Sequence, residues 1–405
     1  MLVPFLSVST AFVGVLSWLI RQQYRRVQQR NGARHRIQPY KSSSLSPTSK
    51  PDPLDHSLYW YPVAFSHEIT CDQSRPFGFH LLNEPLCLYR TKDGQVVCVL
   101  DQCPHRSAPL SLGRITKAGN LECIYHGWQY GANGRCVHIP SASKDSNMAS
   151  FVSARTRPIH EQYGFIWVWP GKSERAHMDL VPHRLFADVQ NTKDKLLLTS
   201  ENSCYLNIPY ELMIDNALDI AHVDFIHDGT IGKRSQASCI RSEALTPSPY
   251  NLLNIESVSF KVEKYEQPSP LSSTAFSHVH FIPPCFVRLD HYGHKAGHLF
   301  VQIFFVLPSA QQKMRLMMQF YRNFANYKWI EYMPGYDYFS ERLNDKIVNE
   351  DMLLLNGIHR NIAEMGAKTL GAMVSADGPI KAFRQYHSRV LTKFETIYKY
   401  EQKQT

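Results

Sequence analysis

The polar and apolar positions divide the chain into five stretches of different rhythm. Leu2 to Ile20 carries no charge, and at 1.5 Å per residue it is about 28 Å long, enough to cross a hydrocarbon core of roughly 30 Å. Six arginines follow it at Arg21, Arg25, Arg26, Arg30, Arg34 and Arg36. This order predicts a retained single-pass anchor over residues 1–36, with a removed targeting segment as the alternative, and puts the rest of the chain on the cytosolic or stromal face. Gln38 to Leu54 is rich in Ser and Pro and lacks apolar periodicity, so 37–57 reads as a tether. Short strands come next. Glu84 to Arg90 and Gln95 to Leu100 flank the turn signal Lys92-Asp93-Gly94, and Gly164 to Trp169 closes an all-β domain over 58–172.

A polar connection at 173–195 leads into a domain over 196–390. It opens with a run from Leu196 to Ile208, and the spacing of Leu212, Ala217, Leu218 and Ala221 predicts a helix over Tyr210 to Asp224. Strand patterns at Leu253 to Tyr265, Thr274 to Leu289, His298 to Leu307 and Lys313 to Phe324 are too many in succession for a parallel α/β sheet and predict an antiparallel one. Helical composition returns from Trp329 to Met365, and 391–405 reads as a polar tail. The fold class is α+β, and no internal repeat is found.

Composition changes this picture little, but charge does. The formal net charge of +9 over 405 residues suggests a nucleic-acid partner until it is located: the first fifty residues, with six Arg, two Lys and no acid, hold eight of the nine excess charges. Nucleic acid is therefore not an expected partner. Nine cysteines form no regular framework. Cys71, Cys87, Cys98, Cys136, Cys204, Cys239 and Cys285 read as reduced, mostly buried thiols in a reducing compartment.

The chemistry begins with two Cys-His pairs, Cys103/His105 and Cys123/His126, separated by seventeen residues. Zinc sites with two Cys and two His usually pair like with like, whereas here each short loop offers one of each. A Rieske [2Fe-2S] centre needs two thiolates on one iron and two imidazoles on the other, which two facing mixed loops supply. Arg106, Gly113, Gly127 and Trp128 complete the loops, the glycines permitting tight turns and Trp128 offering an apolar cap. An unorthodox zinc site is the competing reading. Cys103-Pro-His-Arg and Cys123-Ile-Tyr-His-Gly-Trp resemble the Rieske motif of the non-haem iron oxygenases. Electron-carrier Rieske subunits have two further cysteines where this chain has Ala108 and Tyr125.

Asp219, His222 and His227 make the second constellation. Five residues on a helix turn the two imidazoles about 140° apart, so they meet at one ion only if the helix loosens between them, as Asp228-Gly229 suggests. Two His and one carboxylate form a facial triad that leaves iron(II) positions open for dioxygen. The stretch resembles the mononuclear iron motif of the same oxygenases, which places the third ligand in a C-terminal acidic pair similar to Val348-Asn349-Glu350-Asp351-Met352. Asp351 is the preferred ligand, with Glu350 and then Asp345 as rivals. Glu211, Asp215 and Asp219 share one helical stripe. The first two read as a solvated face, while the resemblance gives Asp219 the role of linking a cluster histidine to an iron histidine across a subunit boundary. His278, His280, His291, His294 and His298 have no accompanying carboxylate pattern and read as structural, one or two of them lining a pocket.

The resemblance covers roughly 58–390 and implies a terminal oxygenase that uses dioxygen to hydroxylate, demethylate or desaturate a lipophilic molecule. It also implies a homotrimer. No Gly-x-Gly-x-x-Gly loop occurs, so electrons from NAD(P)H are expected through a separate flavin reductase or ferredoxin. A membrane-bound Rieske electron carrier without turnover is the alternative. The Cys-x-x-Cys typical of chlorophyll-catabolic members is absent after Met365, and Asp215 to Gly232 resembles oxygenases of cyanobacterial specialised metabolism.

Overall fold

A computed structural model describes residues 55–401 except 144–150, 191–195, 252–255, 266–275, 294–296, 325–332, 334 and 368–370. The expected anchor, its arginine flank and most of the tether lie outside these residues. Among the described residues no helix is long and apolar enough to cross a membrane.

Two small four-stranded sheets carry the cluster loops. One joins Phe77–Leu81, Glu84–Arg90, Val96–Leu100 and Thr156–Arg157, and the other is built from two- and three-residue strands between Arg114 and His138. The expected hairpin is present, with Arg90 paired to Val96 across the turn. Behind the loops lies a compact core of Tyr89, Val97, Val99, Leu110, Leu121 and Tyr130. A three-stranded sheet of Tyr61–Phe65, Phe165–Val168 and Ile159–Gln162 then connects this part to the rest.

The second part is a seven-stranded antiparallel sheet in the order Leu197–Leu206, Met314–Arg322, Leu299–Pro308, Phe286–Tyr292, Phe276–Ile282, Val258–Tyr265, Cys239–Ala244. Three helices, Tyr210–Leu218, Tyr336–Met365 and Gly378–Glu401, pack against it, and the first also packs against the other two. The core is continuous between the three-stranded and seven-stranded sheets. Phe165 meets Phe305 edge to face at 4.8 Å, and Trp167 meets Phe286 at 6.3 Å. Each such ring, fully buried, stabilises by about 1.5–3 kcal/mol relative to exposure. The buried Arg315 adds polar specificity, donating to Glu68 Oε1 at 2.8 Å and to the Val63 carbonyl.

Several elements differ from expectation for identifiable reasons. Thr274 to Leu289 reads as one strand but folds as a hairpin, because Pro283-Pro284 offers no N–H to continue a ladder. Cys239–Ala244 is an additional edge strand whose sequence buries only Ile240, too little alternation to be legible. The helix expected over Tyr210 to Asp224 stops at Leu218. The supposed polar tail from 391 continues the Gly378–Glu401 helix, which Ile380, Phe383, Tyr386 and Val390 anchor as a buried stripe. Four of the seven thiols expected to be mostly buried are so, while Cys71 and Cys239 are exposed and Cys204 is half-buried.

Two histidines in this packing make stability depend on pH. Burial, reinforced by the charge of a neighbour, lowers both His56 and His387 to about 4. Between pH 6.5 and 4 the unfolded chain therefore takes up protons that the folded chain refuses. Stability present above pH 6.5 is lost on acidification, on the order of 3 kcal/mol for each histidine. Denaturant melts from pH 7 to 4 should show this loss, and His387→Gln should flatten the slope.

Candidate functional site

At the tips of the first part, the two Cys-His loops close on themselves. The Cys103 N–H donates to the Ala108 carbonyl and the Cys123 N–H to that of Trp128, both at 2.9 Å. Gly127 has φ +70°, and a Cβ at Gly113 would stand 2.0 Å from the Glu122 carbonyl, so both positions need glycine for the loops to approach. Cys103 and Cys123 are each 2% exposed, and burial, with the Cys103 thiol adjacent, raises the Cys123 thiol. The two imidazoles lie on the outer side, their rings 4.7 Å apart, and Trp128 stacks flat on His105 at 4.3 Å and 6°. Two inner thiols facing two outer imidazoles fit the split ligation of a Rieske cluster. Leu112, Ile124 and Tyr125 surround this tip with exposed apolar surface.

Tyr130, which the sequence did not single out, places its hydroxyl 3.1 Å from Cys103 Sγ. A hydrogen bond to a cluster sulfur favours the reduced, more negative state. Tyr130→Phe should therefore lower the cluster's reduction potential by roughly 60–120 mV, the equivalent of one charge-assisted hydrogen bond. Redox titration followed by visible absorption measures it.

The second constellation is assembled by a break in the chain rather than by a loosened helix. Asp219 ends the Tyr210–Leu218 helix in an extended conformation, φ −89° and ψ 108°, and its Oδ1 accepts from the Ala221 N–H at 2.7 Å. The break precedes His222. His222 and His227 then bracket one short helical turn, Val223–Ile226, as its two caps. Gly232 holds that turn in place, since a Cβ there would stand 2.1 Å from the Val223 carbonyl. The rings end 5.4 Å apart.

Asp351, on the Tyr336–Met365 helix, completes the group. Its Oδ1 lies 3.5 Å from His222 Nε2 and 3.2 Å from His227 Nε2. One donor atom from each of the three lies within 4.8 Å of the others, the only such group of three found among the described residues. Burial lifts the Asp351 carboxyl above its ordinary range, and a cation held there would lower it again. Glu350 does not converge. It accepts from His227 Nδ1 at 2.8 Å and from the Thr230 hydroxyl at 2.8 Å, which fixes the ring and leaves Nε2 free for the site. Asp345 is exposed and outside the group. Asp219 Oδ2 lies 3.7 Å from His222 Nδ1, a buried ring atom otherwise without a partner.

Two corrections and one addition follow from this geometry. Asp215 is not on a solvated face: it forms a bidentate ion pair with Arg384 of the last helix, and burial raises its carboxyl to about 6. His280 has a carboxylate after all, Asp290 at 3.5 Å, itself held by buried Arg288 at 2.8 Å. The chain also brings in Asn216, whose amide donates to Asp351 Oδ1 at 3.1 Å. Its sequence signal was only its place one turn ahead of the Asp219 break. His291 lines the pocket, as expected for one or two of the sheet histidines, and His294 lies outside the described residues.

The three converging side chains line a cavity of about 520 Å3. Leu289, Phe304, Leu316, Met318 and Phe320 from the sheet and Ile347 from the long helix give it apolar walls. Among the polar groups, Ser277 bonds His291 Nδ1 at 2.8 Å, and His291 Nε2 bonds Gln302 Oε1 at 2.8 Å.

Comparison with known proteins follows the same division. Residues 59–156 match the Rieske [2Fe-2S] domain, and residues 206–393 match the vanillate O-demethylase oxygenase C-terminal domain. Chloroplastic chlorophyllide a oxygenase of Oryza sativa subsp. japonica is 31% identical over 78% of this chain and 54% of its own length. Vanillate O-demethylase oxygenase subunit of a Pseudomonas strain is 35% identical over 43% of this chain and 46% of its own. The chain thus spans about half the length of these curated relatives. Dicamba monooxygenase bound to 3,6-dichlorosalicylic acid shares the fold, with TM-score 0.66 at 21% identity over 83% of this chain and 98% of that one. The paired domain matches, each falling on one of the two constellations, establish that the chain belongs to the Rieske non-haem iron oxygenases.

Proposed function

We propose that the chain is the terminal oxygenase component of a multi-component system. It would use dioxygen and externally supplied electrons to hydroxylate, demethylate or desaturate a lipophilic organic substrate. The observation that carries this reading is the convergence of His222, His227 and Asp351 in the wall of a largely apolar cavity. An electron carrier has no use for such a cavity.

Cys103, His105, Cys123 and His126 would hold the [2Fe-2S] cluster, and His222, His227 and Asp351 the mononuclear iron(II). Bound there, the two centres would supply single electrons and activation of dioxygen. The chain's own residues do the rest. Glu350 and Thr230 fix the His227 ring, Asn216 orients Asp351, and the aliphatic and aromatic wall excludes water and seats an apolar substrate. Asp219 is assigned as the link between an iron histidine and a cluster histidine of a neighbouring subunit in a homotrimer. The exposed Leu112, Ile124 and Tyr125 beside His105 and His126 support a docked cluster tip. Electrons would come from NAD(P)H through a separate flavin reductase or ferredoxin. Attachment to a membrane, with the catalytic parts on the cytosolic or stromal face, rests on Leu2 to Ile20 and the arginines after it.

The test is isotopic. Iron-loaded protein given reduced ferredoxin and 18O2 with a panel of lipophilic arenes and aryl methyl ethers should consume oxygen in step with product. Label should appear in the hydroxylated arene, or in the formaldehyde released from a methyl ether when exchange is corrected for. Oxygen uptake that no substrate stimulates would contradict the reading.

A further inference from the structure

Beside the iron-site cavity lies a second chamber of about 350 Å3, and five residues line both: Ile220, Lys264, Ser277, His291 and Phe300. These five form a partition between two compartments. The outer chamber is apolar and aromatic, walled by Ile240 and Val262 and by two stacked pairs, Phe276 on Tyr292 at 4.6 Å and His298 on Phe324 at 4.7 Å. Nothing in the proposed reaction at His222, His227 and Asp351 calls for this second space.

The partition is polar but carries no net charge. Lys264 is ion-paired with the buried Asp224, which leaves the remaining ammonium protons available as donors. Burial favours the neutral His291 ring, whose Nε2–H donates to Gln302 Oε1 while Nδ1 accepts the Ser277 hydroxyl proton. An anionic group placed between the chambers would find no uncompensated cation and would lose its hydration. A neutral acceptor would find one donor, the Lys264 ammonium, at little desolvation cost.

We infer that the substrate is an elongated, mostly apolar molecule of two ring-sized parts joined at a neutral hydrogen-bond acceptor such as a carbonyl. One part sits in the iron-site cavity, the acceptor lies at the partition against Lys264 Nζ, and the second part fills the outer chamber. This assignment of substrate class rests on the oxygenase reading above.

Three compounds with the same reacting methoxy group separate its elements: 4-methoxybenzophenone, 4-methoxydiphenylmethane, which lacks the carbonyl, and anisole, which lacks the second ring. Their equilibrium binding to the iron-loaded holoprotein is measured by calorimetry, alongside formaldehyde release with reduced ferredoxin and dioxygen. The benzophenone should bind about ten-fold more tightly than the diphenylmethane and roughly a hundred-fold more tightly than anisole. Ile240→Trp, which fills the outer chamber, should bring the benzophenone down to the level of anisole while leaving anisole unchanged. Lys264→Met, a smaller change that removes the ammonium donor without filling the chamber, should reduce the preference for the carbonyl. Equal binding of all three compounds, binding of none, or an equal loss for anisole and benzophenone in Ile240→Trp would overturn the inference. Demethylation of anisole without preference for the benzophenone would leave the oxygenase reading standing alone. The predicted binding order without any turnover would do the reverse.

Discussion

Asp351→Ala should remove the mononuclear iron and abolish oxygenase activity while leaving the visible absorption of the Rieske cluster intact. The reason is geometric. Asp351 Oδ1 faces both histidine Nε2 atoms, so without it the site retains two neutral imidazoles and no charge to offset a dication. Its neighbour makes the control. Glu350 touches only the far nitrogen of His227 and Thr230, so Glu350→Ala should weaken iron binding by roughly 10–100-fold, as loss of a ring-orienting contact does, without emptying the site at saturating iron. Iron counted per chain after desalting distinguishes the two. Retention of mononuclear iron by Asp351→Ala with its loss in Glu350→Ala would move the third ligand to Glu350.

The second large effect concerns the path of the electron. Cys103 and His222 belong to separate parts of the fold, and the proposed trimer sets one subunit's cluster against the next subunit's iron. Cys103→Ala and His222→Ala should each be inactive alone, the first for want of a cluster and the second for want of iron. Coexpressed, they should regain activity, because a mixed ring brings an intact cluster beside an intact iron. Asp219→Asn keeps shape but loses charge at 3.7 Å from His222 Nδ1, and should retain both metal centres yet slow turnover severely. Verified mixed rings with loaded centres that stay inactive would rule out transfer between subunits, and the role of Asp219 with it.

What could be read from the sequence was what is encoded locally. Cys103, His105, Cys123 and His126 stand in two short loops whose spacing already states the chemistry. His222 and His227 were visible for the same reason, though the device that aims them was not. The apolar spacing through Ala217, Leu218 and Ala221 runs smoothly past the point where the helix ends at Leu218, and only tertiary packing reveals that Asp219 leaves helical geometry. The choice between Glu350 and Asp351 was closed to sequence because neighbours on a helix point about 100° apart. Which of them faces the histidines depends on the phase of the Tyr336–Met365 helix against the Tyr210–Leu218 helix, where Asn216 meets Asp351. Asp215 was misread because its partner, Arg384, is far away in sequence on a helix taken in part for a tail. The pairing of Asp290 with His280 likewise exists only once the Pro283-Pro284 hairpin sets two strands side by side.

The proposed function requires that His222, His227 and Asp351 hold an iron separate from the cluster. Crystals of the aerobically purified, iron-supplemented protein, measured on both sides of the iron absorption edge, test it without reference to substrate or reductase. Anomalous peaks are expected for two irons between Cys103, Cys123, His105 and His126, and for a third between His222 Nε2, His227 Nε2 and Asp351. Cluster peaks with no iron signal among those three side chains would contradict it.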